Sequence, residues 1–352
     1  MDDGEAVHGL LGHLEALEDP RQACKVVYPL REVLLVVLCG TVSGCDDFVD
    51  MAAWGRQHLG FLRGFAPFAR GVPSHDTLND VINALDGELF EDCFAAWVSG
   101  LRGAAPEVIA LDGKTVRRSG NRRTGARPLH VVPAWATQQR LVLAQEAVAD
   151  KSNEITALPR LIERVVLPGS LVTIDAIGCQ SEVAAPIVAQ GADYVLALKA
   201  NQRGLHASVR RAFEERRLNG DFGLEVAQST DGDHGRIEVR RHFVLHDTAW
   251  LKGRHDWPKL AAVALVEASV EDGGVISQSR RYYLSSRPLD AGAFGAVVRG
   301  HWGIENSLHW VLDAVFGDDL ARVRSRFGPR NMALVKRIAV NLLKAPGDRH
   351  SL

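Results

Sequence analysis

Two short apolar runs, each reaching an aspartate, constrain the fold of this chain more than any other feature of its sequence. One is "EVIALDG" at 107–113, which reaches Asp112, and the other is "SLVTIDAIG" at 170–178, which reaches Asp175. Continuous apolar runs of this length are typical of strands buried on both faces. Helical patterns alternate with such runs, so the sequence predicts an α/β domain. Ligands in α/β sheets bind beyond the carboxyl ends of the strands, where we expect both aspartates.

The chain before residue 104 has helical patterns, which predict an all-α N-terminal domain over residues 1–103. Ser74 and Asp86 each stand where a helix N-cap is expected. Apolar side chains follow these two caps at helical spacing, at Leu78, Val81, Ile82 and Leu85 and then at Phe90, Phe94, Trp97 and Leu101. This periodicity predicts two amphipathic helices before residue 104.

The second predicted domain spans residues 104–345 and contains a β-rich insertion at about 220–288. The runs "LHVVPAWATQ" and "LVLAQEAVA", separated by "QQR", predict a hairpin ahead of the insertion. Inside the insertion, "DGDHG" at 231–235 and "EDGG" at 271–274 are signals of tight turns between strands. Helical patterns return at 291–316 and at about 329–344.

Composition limits the class of protein and of partner. The 352 residues are enough for two domains, and the formal net charge is only −2, so local patches would have to hold any nucleic acid. The five cysteines are odd in number and form no CxxC pair, which argues against a disulfide framework and fits a reducing cytoplasm. The longest apolar run, "VLLVVLCGTV", is too short to cross a bilayer, and no signal peptide is expected from the acidic N-terminus.

A third candidate carboxylate is Glu305 in "HWGIENSLHW". His301, Glu305 and His309 stand at i, i+4 and i+8, so in a helix they share one face. A zinc site is one interpretation, although no HExxH motif supports it. The other is a polar helix face that touches a loop. For Asp112 and Asp175, the structural alternative is a turn or a helix N-cap.

Three carboxylates brought together would make a different kind of site. Hard, anionic oxygen ligands suit Mg²⁺ or Mn²⁺. Two such ions about 3.5–4 Å apart can clamp the attacking and leaving oxygens of an in-line phosphoryl displacement. Sequence separation alone does not show that the three carboxylates meet.

Several motifs, in a fixed order, resemble one protein family. They are "ALDGKTVRRS", "DKSNEITALP", "VTIDAIGCQ", "ALKANQ", "DHGRIEVRR", "YYLSS" and "RGHWGIENSLHWVLDAVFGDD" with "ARVR". Together with the N-terminal "DPRQ…YPLREVLLVVLCGTVSGCDDF", they cover nearly the whole chain. The chain resembles the DDE transposases of bacterial insertion sequences, in the ISAs-type branch that includes the H-repeat-associated proteins.

This resemblance implies a fold, a reaction and a site. The fold is an RNase H-like catalytic domain with a β-rich insertion, preceded by the helical domain, and the Asp-Asp-Glu triad falls on Asp112, Asp175 and Glu305. Two divalent ions, Mg²⁺ or Mn²⁺, would bind there, with His301 and His309 possible assisting residues. The tyrosine, arginine and lysine that surround the glutamate in the larger group are replaced by Val298, His301 and Leu312.

The implied function is binding of terminal inverted repeats, followed by DNA strand cleavage and strand transfer. The expected partner is double-stranded DNA, bound by a homodimer, with no membrane, in the cytoplasm in association with the nucleoid. Predicted DNA contacts are basic residues, several of them close to Asp112: Lys114, Arg117, Arg118, Arg122, Arg123, Lys199, Arg236, Arg322 and Arg324. Such contacts give salt-dependent affinity with little sequence information, but a basic run is equally typical of a solvated face.

Two other functions remain as alternatives. A transposase-derived DNA-binding protein without catalysis would be marked by loss of a triad residue, and all three are present. A metal-dependent DNA nuclease of the same fold would cut without strand transfer. A phosphatase with Asp112 as nucleophile is disfavoured, because the second aspartate of a DxD motif is replaced by Lys114.

Overall fold

The computed structural model describes residues 3–103, 105–121, 123–148, 154–220, 223–233 and 236–344. Its internal contacts divide the chain into two compact units, each assembled from separate segments. The first unit comprises Met1–Ala105, Gly113–Ala157 and Ile304–Leu352, and the second comprises Pro106–Asp112 and Leu158–Gly303. No helix among the described residues is long and apolar enough to cross a membrane.

The N-terminal part of the first unit is helical. Its helices are α1 (Asp3–Leu14), α2 (Leu30–Val42), α3 (Phe48–Gln57), α4 (Leu59–Leu62), α5 (His75–Ala84) and α6 (Gly87–Leu101), with a 3₁₀ turn at Ala23–Lys25. Both predicted caps are confirmed, because the Ser74 hydroxyl accepts from the Thr77 backbone and the Asp86 carboxylate accepts from Glu88 and Leu89. The apolar faces of α5 and α6 are buried as their spacing predicts.

The rest of the first unit contains three strands and the C-terminal helices. The strands are β2 (Lys114–Val116), β3 (Leu129–Ala136) and β4 (Leu141–Val148), all antiparallel in the order β2-β3-β4. A π-helical turn at Glu305–His309 leads into α11 (Trp310–Ala314), a 3₁₀ turn at Asp318–Leu320 and α12 (Gly328–Leu343). The predicted β3–β4 hairpin is confirmed. Helix α7 (Glu154–Val165) carries the chain from the first unit into the second.

The second unit is built on a sheet that contains β1 (Val108–Leu111), β5 (Leu171–Ile174), β6 (Asp193–Leu198), β7 (Glu225–Asp233), β8 (Arg236–Leu245), β9 (Ala262–Asp272) and β10 (Val275–Ser285). Their order across the sheet is β1-β5-β6-β10-β9-β8-β7. Strands β1, β5 and β6 are parallel, and the rest pair antiparallel. Gly273 and Gly274 both have positive φ, as a tight β9–β10 turn requires.

Helices cover both faces of this second sheet. They are α8 (Ser181–Ala189), α9 (Arg203–Leu218) and α10 (Ala291–His301), with 3₁₀ turns at Ala200–Gln202 and Ala249–Leu251. Neighbouring residues of a strand point to opposite faces. Tyr283 accordingly packs against Phe294 of α10, and Tyr282 packs against Phe213 of α9. The mixed α/β class with a large sheet and an N-terminal helical region is confirmed.

Two helices differ from the sequence predictions. Residues 291–316, predicted as one helix, contain α10, then the π-helical turn and the short α11. Helix α9, which is rich in arginine, was not predicted from the sequence. Its buried residues Leu205, Val209, Ala212 and Phe213 nevertheless follow helical spacing.

Candidate active site

Asp112 and Asp175 follow the ends of two adjacent strands in the second unit. Asp112 directly follows β1 and Asp175 directly follows β5, and the parallel pairing of these strands ends with Leu111 opposite Ile174. Adjacent strands lie about 4.8 Å apart, so the two aspartates are neighbours at one edge of the sheet. Both are half-buried. Two carboxylates with hard oxygen donors therefore stand where ligands of α/β sheets bind.

Hydrogen bonds from the segment that follows β6 hold the loop after Asp175. The Asp175 carboxylate accepts from the Ile177 backbone N–H at 3.0 Å, which fixes the turn that the side chain starts. Asn201 donates to the Ala176 carbonyl at 2.6 Å, and Gln202 donates to the Cys179 carbonyl at 3.1 Å. These two residues lie in "ALKANQ" after β6, the next parallel strand. They orient the segment behind Asp175.

His301 lies beside β5 in the same unit. Its Nδ1 is 2.9 Å from the hydroxyl of Thr173, a buried residue of β5 two positions before Asp175. Alternate residues of a strand share a face, so the Thr173 side chain marks the face on which His301 packs. His301 is the last residue of α10.

Glu305 and His309 form a hydrogen-bonded pair within the first unit. Glu305 is exposed, His309 is buried, and His309 Nδ1 is 2.9 Å from Glu305 Oε2. They are the first and last residues of the π-helical turn, a rare conformation that is frequent at functional sites. Because a carboxylate only accepts, His309 donates through Nδ1 and orients the glutamate.

Each member of this pair shifts the pKa of the other. The hydrogen bond from His309 is the largest influence on Glu305 and lowers the pKa of its carboxyl, although burial opposes this shift. Burial is the largest influence on His309 and lowers the pKa of its imidazole, although the Glu305 carboxylate opposes that shift. The pair thus favours an ionised glutamate beside a neutral histidine.

Lys114, two residues after Asp112, is buried in the first unit. Its ammonium lies 2.6 Å and 2.7 Å from the two carboxylate oxygens of Asp313 on α11. Asp313 follows His309 by one helical turn, so this ion pair fixes β2 to the segment that carries Glu305. Sequence reasoning did not identify Asp313, because nothing in the spacing links it to Lys114.

Four of the predicted DNA contacts line one open groove of about 740 Å³ on the first unit, which we call the basic groove. They are Arg117, Arg118, Arg123 and Arg324, and all are exposed. Arg324 donates to the Arg118 carbonyl at 2.9 Å, which joins the loop after β2 to the segment after α11. Arg117 also pairs with Asp319 at 3.1 Å.

The other predicted DNA contacts lie elsewhere. Lys199 is exposed and follows β6, at the same sheet edge as the two aspartates. Arg236 is exposed at the start of β8 and pairs with Glu238 at 3.6 Å. Arg322 is exposed in the segment before α12. Arg122 lies outside the described residues.

Comparison with known proteins identifies the family. Residues 103–342 match a family described as "Transposase DDE domain", and residues 11–98 match one described as "DDE_Tnp_1-associated". The chain belongs to the DDE transposase family. The predicted membership of the DDE transposases is thereby confirmed, and the H-repeat-associated relative described next confirms the predicted resemblance to that branch. Transposition and recombination are the process in which the family acts.

Individual relatives of this transposase agree with the family match. The "Uncharacterized protein in dhlA 3'region" of Xanthobacter autotrophicus is 43% identical over 78% of this chain and 94% of that protein. The "H repeat-associated putative transposase YhhI" of Escherichia coli K12 is 34% identical over 95% of this chain and 90% of its own length. A "Putative transposase YncI" of Escherichia coli O157:H7 is 34% identical over 96% of this chain and 88% of its own length.

Among solved structures, a cryo-EM structure of a piggyBac transposase synaptic complex with hairpin DNA covers 96% of this chain and 71% of that chain. The TM-score is 0.43 at 10% sequence identity.

Proposed function

We propose that this transposase binds the terminal inverted repeats of an insertion sequence, cuts DNA there in a metal-dependent reaction and transfers the freed strand to target DNA. The observation that carries the proposal is the placement of Asp112 and Asp175 at the ends of adjacent parallel strands, in a chain whose residues 103–342 match the transposase DDE domain. The proposed catalytic domain, residues 104–345, is RNase H-like, and residues 1–103 form its associated helical domain.

Asp112, Asp175 and Glu305 are proposed as the catalytic triad and as ligands of two divalent ions, Mg²⁺ or Mn²⁺. All three proposed ligands are carboxylates, whose oxygens fit these hard ions. When bound, the ions supply Lewis-acid polarisation of the scissile phosphate. His309 is proposed to assist by orienting the Glu305 carboxylate. Burial lowers the pKa of its imidazole, which favours a neutral ring beside the cations. His301 assists through Thr173 on β5.

The basic groove is proposed to hold the DNA backbone. Its arginines are exposed and their guanidinium groups match phosphate geometry. Lys199 is proposed to contact the DNA strand nearest the two aspartates, and its position at the same sheet edge supports this. Arg122, Arg236 and Arg322 complete the proposed set of contacts. Lys114 is left out of this set, because its buried ammonium is paired with Asp313. Cutting both ends of an element needs both ends paired, so two copies of the chain are proposed to act on the DNA.

The test is cleavage and joining of a labelled duplex that carries the flanking inverted repeat. Wild type is compared with Asp112→Asn, Asp175→Asn and Glu305→Gln, each with Mg²⁺ and with a chelator. We expect the wild type to cut and join only with metal, and each variant to bind the repeat without cutting it. Asp247→Asn, a change of an exposed carboxylate outside the proposed site, is the matched control and should retain activity.

Two results would replace the proposal. Binding of the repeat by the wild type without any cutting would support a catalytically silent DNA-binding protein. Metal-dependent cutting without joining would support an RNase H-like nuclease. Full cutting by one of the three variants would remove that carboxylate from the triad.

A further inference from the structure

The residues directly after Asp112 lie beside three hydrogen-bonded side chains that have no role in the proposed reaction. His130 on β3 and Glu154 at the start of α7 are both buried, and His130 Nε2 donates to Glu154 Oε1 at 2.5 Å. On its other side, His130 Nδ1 is 2.8 Å from the hydroxyl of Thr115 on β2. Thr115 and His130 are directly opposite each other in the β2–β3 ladder. Three polar side chains are thus joined in the first unit.

Gly113 lies directly against this chain of hydrogen bonds. A β-carbon at Gly113 would stand 2.5 Å from both Glu154 Oε1 and His130 Nε2, a separation too short for atoms that are not bonded to each other. Only glycine permits the backbone to approach so closely. The peptide that joins Asp112 to β2 therefore follows a path fixed by the His130–Glu154 pair on one side and by the pairing of Thr115 on the other.

A purely structural role would not need these groups. Replacing two buried, hydrogen-bonded polar groups by apolar groups of the same shape is often nearly neutral for stability, or even stabilising. Hydrogen bonds are directional, however, and they hold a neighbouring backbone in one position more strictly than apolar packing does. When residues that orient a metal ligand through hydrogen bonds are removed, metal affinity typically falls about 10–100-fold.

We propose that Thr115, His130 and Glu154 are positioning residues for Asp112, which they orient through the Gly113 peptide towards the divalent ions. The inference rests on the proposed function for the role of Asp112. None of the three side chains is assigned contact with DNA or with the ions. Their effect passes through the backbone between Asp112 and Thr115.

The test measures Mn²⁺ binding by the full chain, from the electron paramagnetic resonance signal of free Mn²⁺, without DNA and without turnover. Variants are Glu154→Leu, Glu154→Gln, Gly113→Ala and Asp112→Ala. We expect Glu154→Leu and Gly113→Ala to weaken Mn²⁺ binding at least tenfold. Glu154→Gln retains an acceptor for His130 and should weaken it less. Glu91→Leu is the matched control, because Glu91 is a buried, hydrogen-bonded glutamate of the same unit.

A double-mutant comparison separates positioning from general damage. If Glu154 acts through Asp112, then Glu154→Leu should change Mn²⁺ binding little in a chain that already carries Asp112→Ala. An equal loss in both backgrounds, or in Glu91→Leu, would overturn the inference. Unchanged Mn²⁺ affinity in both Glu154→Leu and Gly113→Ala would also overturn it, and Gly113→Ala serves if Glu154→Leu does not fold. A wild type that binds Mn²⁺ through Asp112 but never cuts DNA would refute the proposed function and leave this inference standing.

Discussion

Asp193 shows how one buried carboxylate links stability to pH. Burial alone would raise its pKa, but hydrogen bonds from Lys259, Ser286 and Arg287, at 2.8, 2.7 and 3.0 Å, outweigh burial and lower the pKa below its usual value. A carboxyl whose pKa is lower in the folded state than in the unfolded state stabilises the fold fully at pH values above the unfolded pKa, which is near 3.9. That contribution is lost as pH falls through the folded pKa.

We therefore expect Asp193→Asn to lower the free energy of unfolding by about 1–3 kcal/mol at pH 7. The difference from wild type should narrow as the pH falls below about 4, because the wild-type carboxyl is then protonated. Urea denaturation at several pH values measures both effects. A difference that stays constant from pH 7 to the acid end would show that the charge on Asp193 contributes nothing.

Among single residues, sequence reasoning succeeds where the chemistry depends on position along one strand. Asp112 and Asp175 could be found because each apolar run and the carboxylate that ends it are consecutive in the sequence. The hydrogen-bonded Thr115, His130 and Glu154 could not be found in that way. Their meeting depends on which residue of β2 opposes which residue of β3, and a strand of three residues carries almost no periodicity that would give its register.

Among the elements, one side chain joins the last helix, α12, to strand β4. The buried Asn341 of α12 accepts from the Val142 N–H at 2.9 Å and donates to the Val142 carbonyl at 2.8 Å. The register of β3 and β4 shifts at this point, between Ala134 and Trp135. Asn341 thus satisfies backbone groups that the irregular ladder would otherwise leave buried and unpaired.

Replacing Asn341 by leucine is expected to lower the free energy of unfolding by about 2–4 kcal/mol, because both Val142 groups lose their partner inside the protein. Chemical denaturation of the full chain measures the loss. Asn219→Leu, at an exposed position after α9, is the control and should cost much less. Equal losses in the two variants would mean that the Asn341 hydrogen bonds do not stabilise the fold.

The basic groove joins a loop and a segment that are far apart in sequence, and its proposed role predicts a salt effect. Removing one arginine that binds a phosphate reduces the slope of log affinity against log salt concentration by about 0.9. We expect Arg118→Gln and Arg324→Gln each to weaken repeat DNA and nonspecific DNA alike and to reduce this slope. Arg254→Gln, an exposed arginine outside the groove, should leave it unchanged. A fluorescence titration at several salt concentrations measures the slopes. Unchanged slopes in the groove variants would show that DNA does not bind in the groove.

Helices with a clear apolar periodicity were predicted from the sequence, whereas the arginine-rich helix α9 was missed. Helices α5 and α6 were found with their caps, because cap and apolar face occur together in the sequence. The break between α10 and α11 was not found. A π-helical turn keeps side chains close to helical spacing, so the apolar pattern at 291–316 hides it.

At the scale of the whole molecule, the two units are not consecutive in sequence. The first unit takes residues from the beginning, the middle and the end of the chain. Helix α12 contacts α2, α5 and α6, and Arg330 near its start donates to the buried Glu91 of α6 at 2.5 and 2.9 Å. Sequence patterns show where helices lie, but they cannot show that helices more than 200 residues apart share one core.

A fragment of residues 1–103 should therefore retain helical content without cooperative unfolding. It would lose the partner of Glu91 and expose apolar surface that α12 and β4 cover in the full chain. Circular dichroism during thermal unfolding distinguishes the outcomes. A sharp transition of the fragment, close to that of the full chain, would show that the helical region folds without its C-terminal partner.

A metal-rescue experiment replaces each proposed metal ligand by cysteine and measures which ion restores cutting. Thiolates are soft ligands, so Mg²⁺ binds them poorly and Mn²⁺ binds them better. We predict that Asp112→Cys, Asp175→Cys and Glu305→Cys lose cleavage of repeat DNA in Mg²⁺ and regain part of it in Mn²⁺, whereas Asp247→Cys cuts equally in both ions. Full activity of all three variants in Mg²⁺ would contradict the assignment of these carboxylates as the ligands of a DNA-cutting metal site.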